Sequence, residues 1–256
     1  MKFIILGCGS SMGVPRSDGY FGKCDPKNKR NYRTRCSALV KTNSENILID
    51  TSPDLRHQLI KNKINKIDKV FYSHLHADQT HGINDLRVFY INNKKTIPVY
   101  ADPPTKRYLL NTFRYCFVNN SKEYPAILKL NSISKKLSIR DNKKKIGIKT
   151  ITVKHGNVKS ICYIFDKKLA YISDVSDIAK KDFKYFKNLK YLIIDCLWFR
   201  NHPSHLNFER ALKFINMFKP NKAILTNLHS DLDYSYLKKN LPKHIIPAFD
   251  GLTINL

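Results

Sequence analysis

Short runs rich in β-branched and aromatic residues recur along the chain, and this recurrence limits the possible folds more than any other feature. Each run stands between turn-forming residues, which is the pattern of a β-strand. The predicted strands lie at 2–6, 37–42, 46–50, 69–73, 97–101, 146–153, 161–165, 169–173, 191–195 and 222–226. Helical spacing of apolar residues, or a helix-start signal, occurs at 52–62, 84–93, 207–218 and 235–240. We therefore expect an α/β fold in which two sheets pack together with helices outside them.

The chain is expected to form a single domain over residues 1–256, since no linker, repeat or shift in composition divides it. Its N-terminal apolar run is too short for a signal peptide or a membrane span. The six cysteines are scattered without a CxxC pair, which favours buried free thiols in a reducing compartment. A cytoplasmic location and no membrane partner follow as expectations.

The formal net charge of +26 indicates an anionic partner, but it does not say which kind. A phosphorylated small substrate and a nucleic acid both fit such a charge. The lysines are dispersed, and a local run at 141–147 is typical of a solvated hairpin turn. Nucleic acid is therefore the less favoured partner.

Three potential metal ligands follow the predicted strand at 69–73. His74, His76 and Asp78 occupy alternate positions, so an extended chain directs them to one side. Two imidazoles and a carboxylate suit zinc, iron or manganese. This spacing directly after a buried strand predicts a metal site.

Three further candidate ligands also follow apolar strands. His155 comes after IKTITVK, Asp174 closes LAYISD, and His229 lies just beyond AILT. The two carboxylate oxygens of Asp174 allow it to bridge two ions. The repeated placement predicts a site built along one sheet edge.

These motifs together resemble the metallo-β-lactamase superfamily of hydrolases. The match runs along nearly the whole chain, and the motifs occur in the family's order: LGCGSSMGVP, NILIDTSPD, SHLHAD, VKHG, YISD and AILT. Within the superfamily the chain is similar to the branch that contains the phosphoribosyl cyclic-phosphate phosphodiesterase and the tRNA 3′-processing endonuclease. RTRCSALV and FDGLTINL favour the first of these.

The resemblance implies a four-layer αββα sandwich and a site for two divalent ions, zinc or manganese. His74, His76 and His155 would hold one ion, and Asp174 would bridge to the second. Asp78 would bind the second ion and orient the metal-bound hydroxide that attacks the substrate. The expected activity is that of a phosphodiesterase acting on a small phosphate diester, with cyclic diesters among the candidates. A homodimer is the implied assembly.

Two positions depart from the family pattern. Gln79 and Asn227 stand where the family has histidines that bind the second ion. Their amide oxygens are one replacement, which would favour manganese or magnesium. His81 and His229, each two residues further on, are another. Loss of the second ion is the remaining interpretation. Of these alternatives, we predict a functional but altered second site.

Other residues take roles that the resemblance implies. His205, just before the helix at 207–218, is expected to be the general acid that protonates the leaving group. Arg87 is a candidate for substrate binding because guanidinium binds phosphate in a bidentate manner. Asp50 is expected to orient a neighbouring ligand. The loop at 20–36 contains only Cys24 and Cys36, which argues against the cysteine-bound structural zinc of the phosphodiesterase.

Three other functions compete with this prediction. A thioester or lactone hydrolase of the glyoxalase II type uses the same fold. An RNA-processing nuclease fits the charge, although no long arm for holding tRNA is evident. A non-catalytic member that has lost its second metal is the third alternative.

Overall fold

The computed structural model describes residues 1–119, 121 and 123–256 and contains two seven-stranded sheets. The first has the order β14-β1-β2-β3-β4-β5-β6. Its strands, in chain order, are Lys2–Gly7 (β1), Ser37–Lys41 (β2), Asn46–Ile49 (β3), Lys69–Phe71 (β4), Ile97–Ala101 (β5), Leu128–Ser132 (β6) and Leu252–Asn255 (β14).

The second sheet has the order β13-β12-β11-β10-β9-β8-β7. Its strands are Lys136–Asp141 (β7), Lys144–His155 (β8), Val158–Phe165 (β9), Leu169–Ile172 (β10), Tyr191–Asp195 (β11), Lys222–Thr226 (β12) and Ile245–Pro247 (β13). The strands β7 and β8 form the hairpin predicted around 141–147.

Seven α-helices complete the described part of the chain. They are Leu55–Lys61 (α1), Ala77–Thr80 (α2), Arg87–Asn93 (α3), Pro103–Thr112 (α4), Arg114–Phe117 (α5), Phe208–Phe218 (α6) and Tyr234–Asn240 (α7). Helix α6 starts at an Asn207 cap whose side chain accepts from the Arg210 N–H. Within the described residues, no helix combines the length and apolar character that a membrane span requires.

Three apolar layers hold the elements together. The middle layer joins the facing sheets, as shown by Phe71 stacked on Tyr163 with ring centres 5.6 Å apart. The outer face of the first sheet packs against α1, α3 and α4. The outer face of the second sheet packs against α6 and α7, with Phe214 and Phe218 completely or almost completely buried. This confirms the predicted αββα sandwich.

The strand directions bring the candidate ligands to one edge. β3 runs parallel to β4, and β10, β11 and β12 are parallel to one another. β8 runs in the same direction as β10, because each is antiparallel to β9. The carboxyl ends of these strands therefore meet along one rim of the sandwich.

All six cysteines are buried and free, as the sequence predicted. Cys24 lies beside the fully buried Arg33, and its Sγ is 3.9 Å from the Arg33 guanidinium. The Arg33 group also donates to the Leu232 carbonyl at 2.8 Å and to the Asn31 side-chain oxygen at 3.2 Å. A guanidinium thus ties the N-terminal loop to the chain after β12.

Candidate metal centre and active site

Three histidines meet at the rim. The His74 Nε2 atom lies 3.0 Å from His76 Nδ1, and His155 Nε2 lies 3.2 Å from the same atom. His74 and His155 are buried, while His76, directly before α2, is half-buried. The candidate ligand atoms of the three residues are all within 4.8 Å of one another. This is the group that the sequence predicted.

Hydrogen-bond partners on the Nδ1 atoms of His155 and His74, which face away from the cluster, hold these two rings in place. His155 Nδ1 lies 2.7 Å from the Ser204 carbonyl oxygen, which can only accept a hydrogen bond. Nδ1 therefore carries the hydrogen, and the Nε2 lone pair faces the other two imidazoles. His74 Nδ1 likewise contacts the Ser73 hydroxyl at 2.9 Å. Outer partners of this kind are typical of histidines that bind a metal.

Burial keeps the rings available as ligands. It lowers the pKa of His74 to about 3 and also lowers the pKa of His76, where His155 adds to the effect. Neutral imidazole is the form that binds a cation. Three converging imidazole nitrogens fit a divalent transition metal, so the residues present are compatible with the ion that the fold implies.

Asp50 supports this cluster from beneath. It follows β3 with a positive φ of 61°, and its Oδ1 accepts the Ser73 N–H at 2.7 Å. Ser73 in turn contacts His74 through its hydroxyl. Asp50 is fully buried, and this burial raises its pKa well above the usual range. Its position agrees with a role in orienting a neighbouring ligand.

Two carboxylates lie next to the histidines. Asp174 follows β10 and is buried, and it forms a second candidate ligand group with His155 and His205. Asp78 lies in the first turn of α2. Burial and, after it, the negative charge of Asp174 raise the pKa of Asp78 to about 6. The two groups therefore share one electrostatic environment.

His205 is held by an aspartate that the sequence reasoning missed. Its Nδ1 is 2.8 Å from the Oδ2 of Asp195, which is completely buried at the end of β11. Burial tends to lower the pKa of His205, but the pairing with Asp195 outweighs this and raises the pKa to about 9. The sequence did contain a signal for Asp195. Like Asp50 and Asp174, it is an acidic residue at the end of an apolar strand.

The two residues that depart from the family pattern both contact Asp174. The Gln79 side-chain nitrogen is 3.4 Å from one oxygen of Asp174. The Asn227 side-chain nitrogen is 3.3 Å from the other. Both side chains are buried. They lie in the site, as their motif positions predicted.

His81 and His229 lie outside both groups of candidate metal ligands. His81 is exposed, and its Nδ1 contacts the Ala77 carbonyl at 3.0 Å. The His229 ring stacks on Trp198 with ring centres 4.7 Å apart. Among the residues described, neither belongs to a cluster of candidate ligands. This corrects the sequence-based placement of both.

Backbone contacts explain where His229 goes. Asn227 has a positive φ of 62°, which turns the chain as it leaves β12. The Leu228 N–H then bonds to the Cys8 carbonyl, and the His229 N–H bonds to the Leu197 carbonyl. These bonds carry the His229 side chain to Trp198 and away from Asp174.

A pocket of about 560 Å³ adjoins the site. Asp78 and Ala77 form one wall, and the glycine turn contributes Ser11 and Met12. Arg16 and Arg35 also line it, and neither was singled out from the sequence. The remaining lining residues are Ser17, Asp18, Pro53 and His81.

Arg87, the predicted substrate contact, is not among the residues that line this pocket. It stands at the first position of α3. Arg16 pairs with Asp18, and Arg35 lies 3.4 Å from Asp54, so both pocket guanidiniums are held by acidic side chains.

A family model described as a beta-lactamase superfamily domain matches residues 45–227. The chain belongs to this superfamily. The matched segment begins just before β3 and ends at Asn227, so it contains the three clustered histidines, both carboxylates and His205.

Two curated proteins and a number of solved structures are similar to this member of the superfamily. An octanoyltransferase from Porphyromonas gingivalis is 30% identical over 98% of this chain and 51% of its own length. A ribonuclease Z from Azobacteroides pseudotrichonymphae is 25% identical over 66% of this chain and 53% of its own. The chain thus spans about half the length of the curated relatives it matches.

One of these solved structures is that of a diphosphatase from the PhnP family. It covers 100% of this chain and 97% of its own, with 27% identity and a TM-score of 0.87. The likeness extends over both sheets and the outer helices.

Proposed function

We propose that the protein is a metal-dependent phosphodiesterase that hydrolyses a small phosphate diester. The observation that carries the proposal is the convergence of three imidazole nitrogens beside Asp78 and the paired His205. Outer partners hold two of these rings, those of His74 and His155. The whole-chain likeness to a diphosphatase supports phosphate chemistry. The six buried free thiols fit a cytoplasmic setting.

His74, His76 and His155 would hold a divalent cation, zinc or manganese. When bound, that ion would supply a Lewis acid and lower the pKa of a water molecule. The chain's own residues do the rest. Asp78 faces the pocket and orients the attacking water. His205, kept protonated by Asp195, donates a proton to the leaving oxygen.

The pocket favours a small anionic substrate. Its volume of about 560 Å³ is within the range of small-molecule sites. Arg16 and Arg35 place positive charge on its wall, opposite to the charge of a phosphate diester. The net charge of +26 attracts such an anion from a distance.

The decisive experiment compares a chromogenic phosphodiester with a chromogenic thioester after stripped protein is reloaded with Zn²⁺ or Mn²⁺. We expect turnover of the phosphodiester, and its loss in His76→Ala. His57→Ala changes an exposed histidine on α1 and should keep full activity. Activity on the thioester alone would replace this proposal with the acyl hydrolase alternative.

A second candidate function, RNA cleavage, is favoured by a separate groove of about 1010 Å³ on the second sheet. Six lysines line it: Lys136, Lys145, Lys149, Lys167, Lys184 and Lys187. Asp166 is the acidic residue among the lining side chains. Gly147 in this groove and His155 are eight residues apart on β8, or roughly 26 Å along an extended strand. RNA spanning that distance would contact both.

A labelled RNA titrated at increasing salt tests this second function. If the groove holds phosphates, Lys145→Glu with Lys149→Glu weakens binding and flattens the salt dependence. Lys238→Glu with Lys239→Glu, on the exposed end of α7, is the matched control. Equal binding by both double variants would eliminate the groove as an RNA site.

A further inference from the structure

The amide groups of Gln79 and Asn227 close around Asp174. Gln79 Nε2 lies 3.4 Å from Asp174 Oδ2 and 3.2 Å from Asp78 Oδ2. Asn227 Nδ2 lies 3.3 Å from Asp174 Oδ1. Both oxygens of Asp174 therefore face an N–H donor, and the Gln79 amide stands between the two carboxylates.

The orientation of the Asn227 amide follows from a second contact. Its Nδ2 is 2.9 Å from the Ser173 carbonyl oxygen. A main-chain carbonyl accepts and never donates, so the amide nitrogen, not the amide oxygen, must lie on this side. Turning the amide over would bring two oxygens together at Ser173 and lose the bond to Asp174.

The Gln79 amide is oriented by charge. Its nitrogen faces two carboxylate oxygens, whereas an oxygen in that place would meet two like partial charges. Its own Oε1 is buried without a hydrogen-bond partner. A cation between Asp78 and Asp174 would favour the opposite orientation of this amide, with Oε1 turned toward the carboxylates.

The histidine cluster and the pair of carboxylates differ in the groups that they present to a cation. At His74, His76 and His155 three ring nitrogens converge, which suits a cation. At Asp78 and Asp174, amide N–H groups face three carboxylate oxygens, Asp78 Oδ2 and both oxygens of Asp174. An amide N–H offers a metal no lone pair. The amide N–H groups of Gln79 and Asn227 therefore lie where the family's second ion would be expected.

We propose that this protein binds a single divalent cation, at the three histidines, and that Gln79 and Asn227 replace the second ion by hydrogen-bonding the carboxylates that would have held it. The inference rests on the proposed metal-dependent function. It sharpens that function to one-ion chemistry, in which the amides position Asp78 and Asp174.

Metal content measured by mass spectrometry tests the proposal directly. The full chain is stripped with a chelator, reloaded with Zn²⁺ or Mn²⁺ and freed of excess ion. We expect one ion per chain. The EPR spectrum of the Mn²⁺-loaded protein should be that of an isolated ion, without the exchange coupling of a metal pair.

Restoring the family's ligands should restore the second ion. The double variant Gln79→His with Asn227→His is expected to bind two ions per chain and to show the coupled Mn²⁺ signal. Asn188→His is the matched control, because Asn188 also has a positive φ, of 56°, but is exposed. It should keep one ion per chain.

Each outcome separates this inference from the proposed function. Two ions in the unmodified protein, with a coupled Mn²⁺ signal, would overturn the one-ion inference and leave the hydrolase proposal standing. No bound ion and no turnover would overturn both. If the double variant fails to fold, the stoichiometry and the EPR spectrum of the unmodified protein still decide the question.

Discussion

His155 donates its Nδ1 hydrogen to the main-chain carbonyl of Ser204 across 2.7 Å. This bond joins the end of β8 to the loop before α6, and it directs the His155 lone pair into the cluster. Gly156 makes the approach possible. It has a φ of +57°, and a Cβ built there would lie only 2.5 Å from the Ser204 hydroxyl oxygen. The geometry of one candidate ligand therefore depends on a glycine outside the cluster.

Gly156→Ala should weaken metal binding. The added methyl group pushes Ser204 away and strains the backbone, because L-residues rarely adopt this φ. Loss of an outer hydrogen bond to a metal-binding histidine typically costs about 10- to 100-fold in metal affinity. Titration calorimetry measures the change. Gly147→Ala, where nothing lies within 4 Å of the built Cβ, should leave affinity unaltered. Equal affinity in both variants would show that Ser204 does not position His155.

Arg33→Met should destabilise the protein. Arg33 is 1% exposed, and its loss leaves the Leu232 carbonyl and the Asn31 side-chain oxygen each without that donor. The Asn31 oxygen keeps its bond from the Tyr234 N–H, so the cost is that of the Leu232 carbonyl, about 1–3 kcal/mol. Urea unfolding of the metal-free protein measures the difference in free energy of unfolding.

Arg30→Ala is the comparison for this prediction. Arg30 lies on the surface, over the Tyr234 ring at 4.8 Å. An exposed contact of this kind contributes about 0.5–1 kcal/mol. Similar losses in the two variants would mean that Arg33 does not tie the N-terminal loop to the chain after β12.

Most of the sandwich was predictable because its central strands are buried on both faces. Such strands read as continuous apolar runs, and all ten predicted runs became strands. The missed strands lie at or next to sheet edges, where polar residues interrupt the pattern: β6, β7, β13 and β14. Helix α4 was also missed, although Asp102 followed by Pro103 is a start signal, and the Asp102 side chain caps the helix.

The site was predictable where a ligand type follows an apolar strand. That rule placed His74, His155 and Asp174 correctly at one rim. It failed for His229, because backbone bonds after Asn227 redirect the chain, and such bonds leave no trace in hydrophobic periodicity. The pocket arginines were missed for a related reason. Arg16 lies on a loop that is held by backbone bonds between Val14 and Arg33 and from the Lys23 N–H to the Ser230 carbonyl.

Arg16→Ala should raise the KM for a phosphodiester substrate while leaving kcat within about twofold. Arg16 lines the pocket, whereas the proposed general acid His205 is not among the lining residues. We therefore expect Arg16 to stabilise the bound ground state and the transition state equally. Steady-state kinetics at low salt measures both constants. Arg87→Ala, outside the pocket lining, should leave KM unaltered. A rise in KM for Arg87→Ala alone would reinstate the sequence-based assignment.

The pairing of His205 with Asp195 should make stability depend on pH. The pKa of His205 is raised to about 9 in the folded protein, above the ordinary value of 6.5. A raised histidine pKa contributes stability that is fully present below about pH 6.5 and is lost as the pH rises through about 9. The full shift corresponds to about 3 kcal/mol as an upper bound.

Urea unfolding of the metal-free protein and of His205→Asn at pH 7 and pH 10 checks this sign. The unmodified protein should exceed the variant by more at pH 7 than at pH 10, because the imidazolium that pairs with Asp195 is lost between them. His57→Asn removes an exposed histidine on α1, and its difference from the unmodified protein should be the same at both pH values. A gap for His205→Asn that stays constant or widens at pH 10 would mean that His205 is neutral in the folded state. It would then accept a proton at this site and could not donate one to a leaving group.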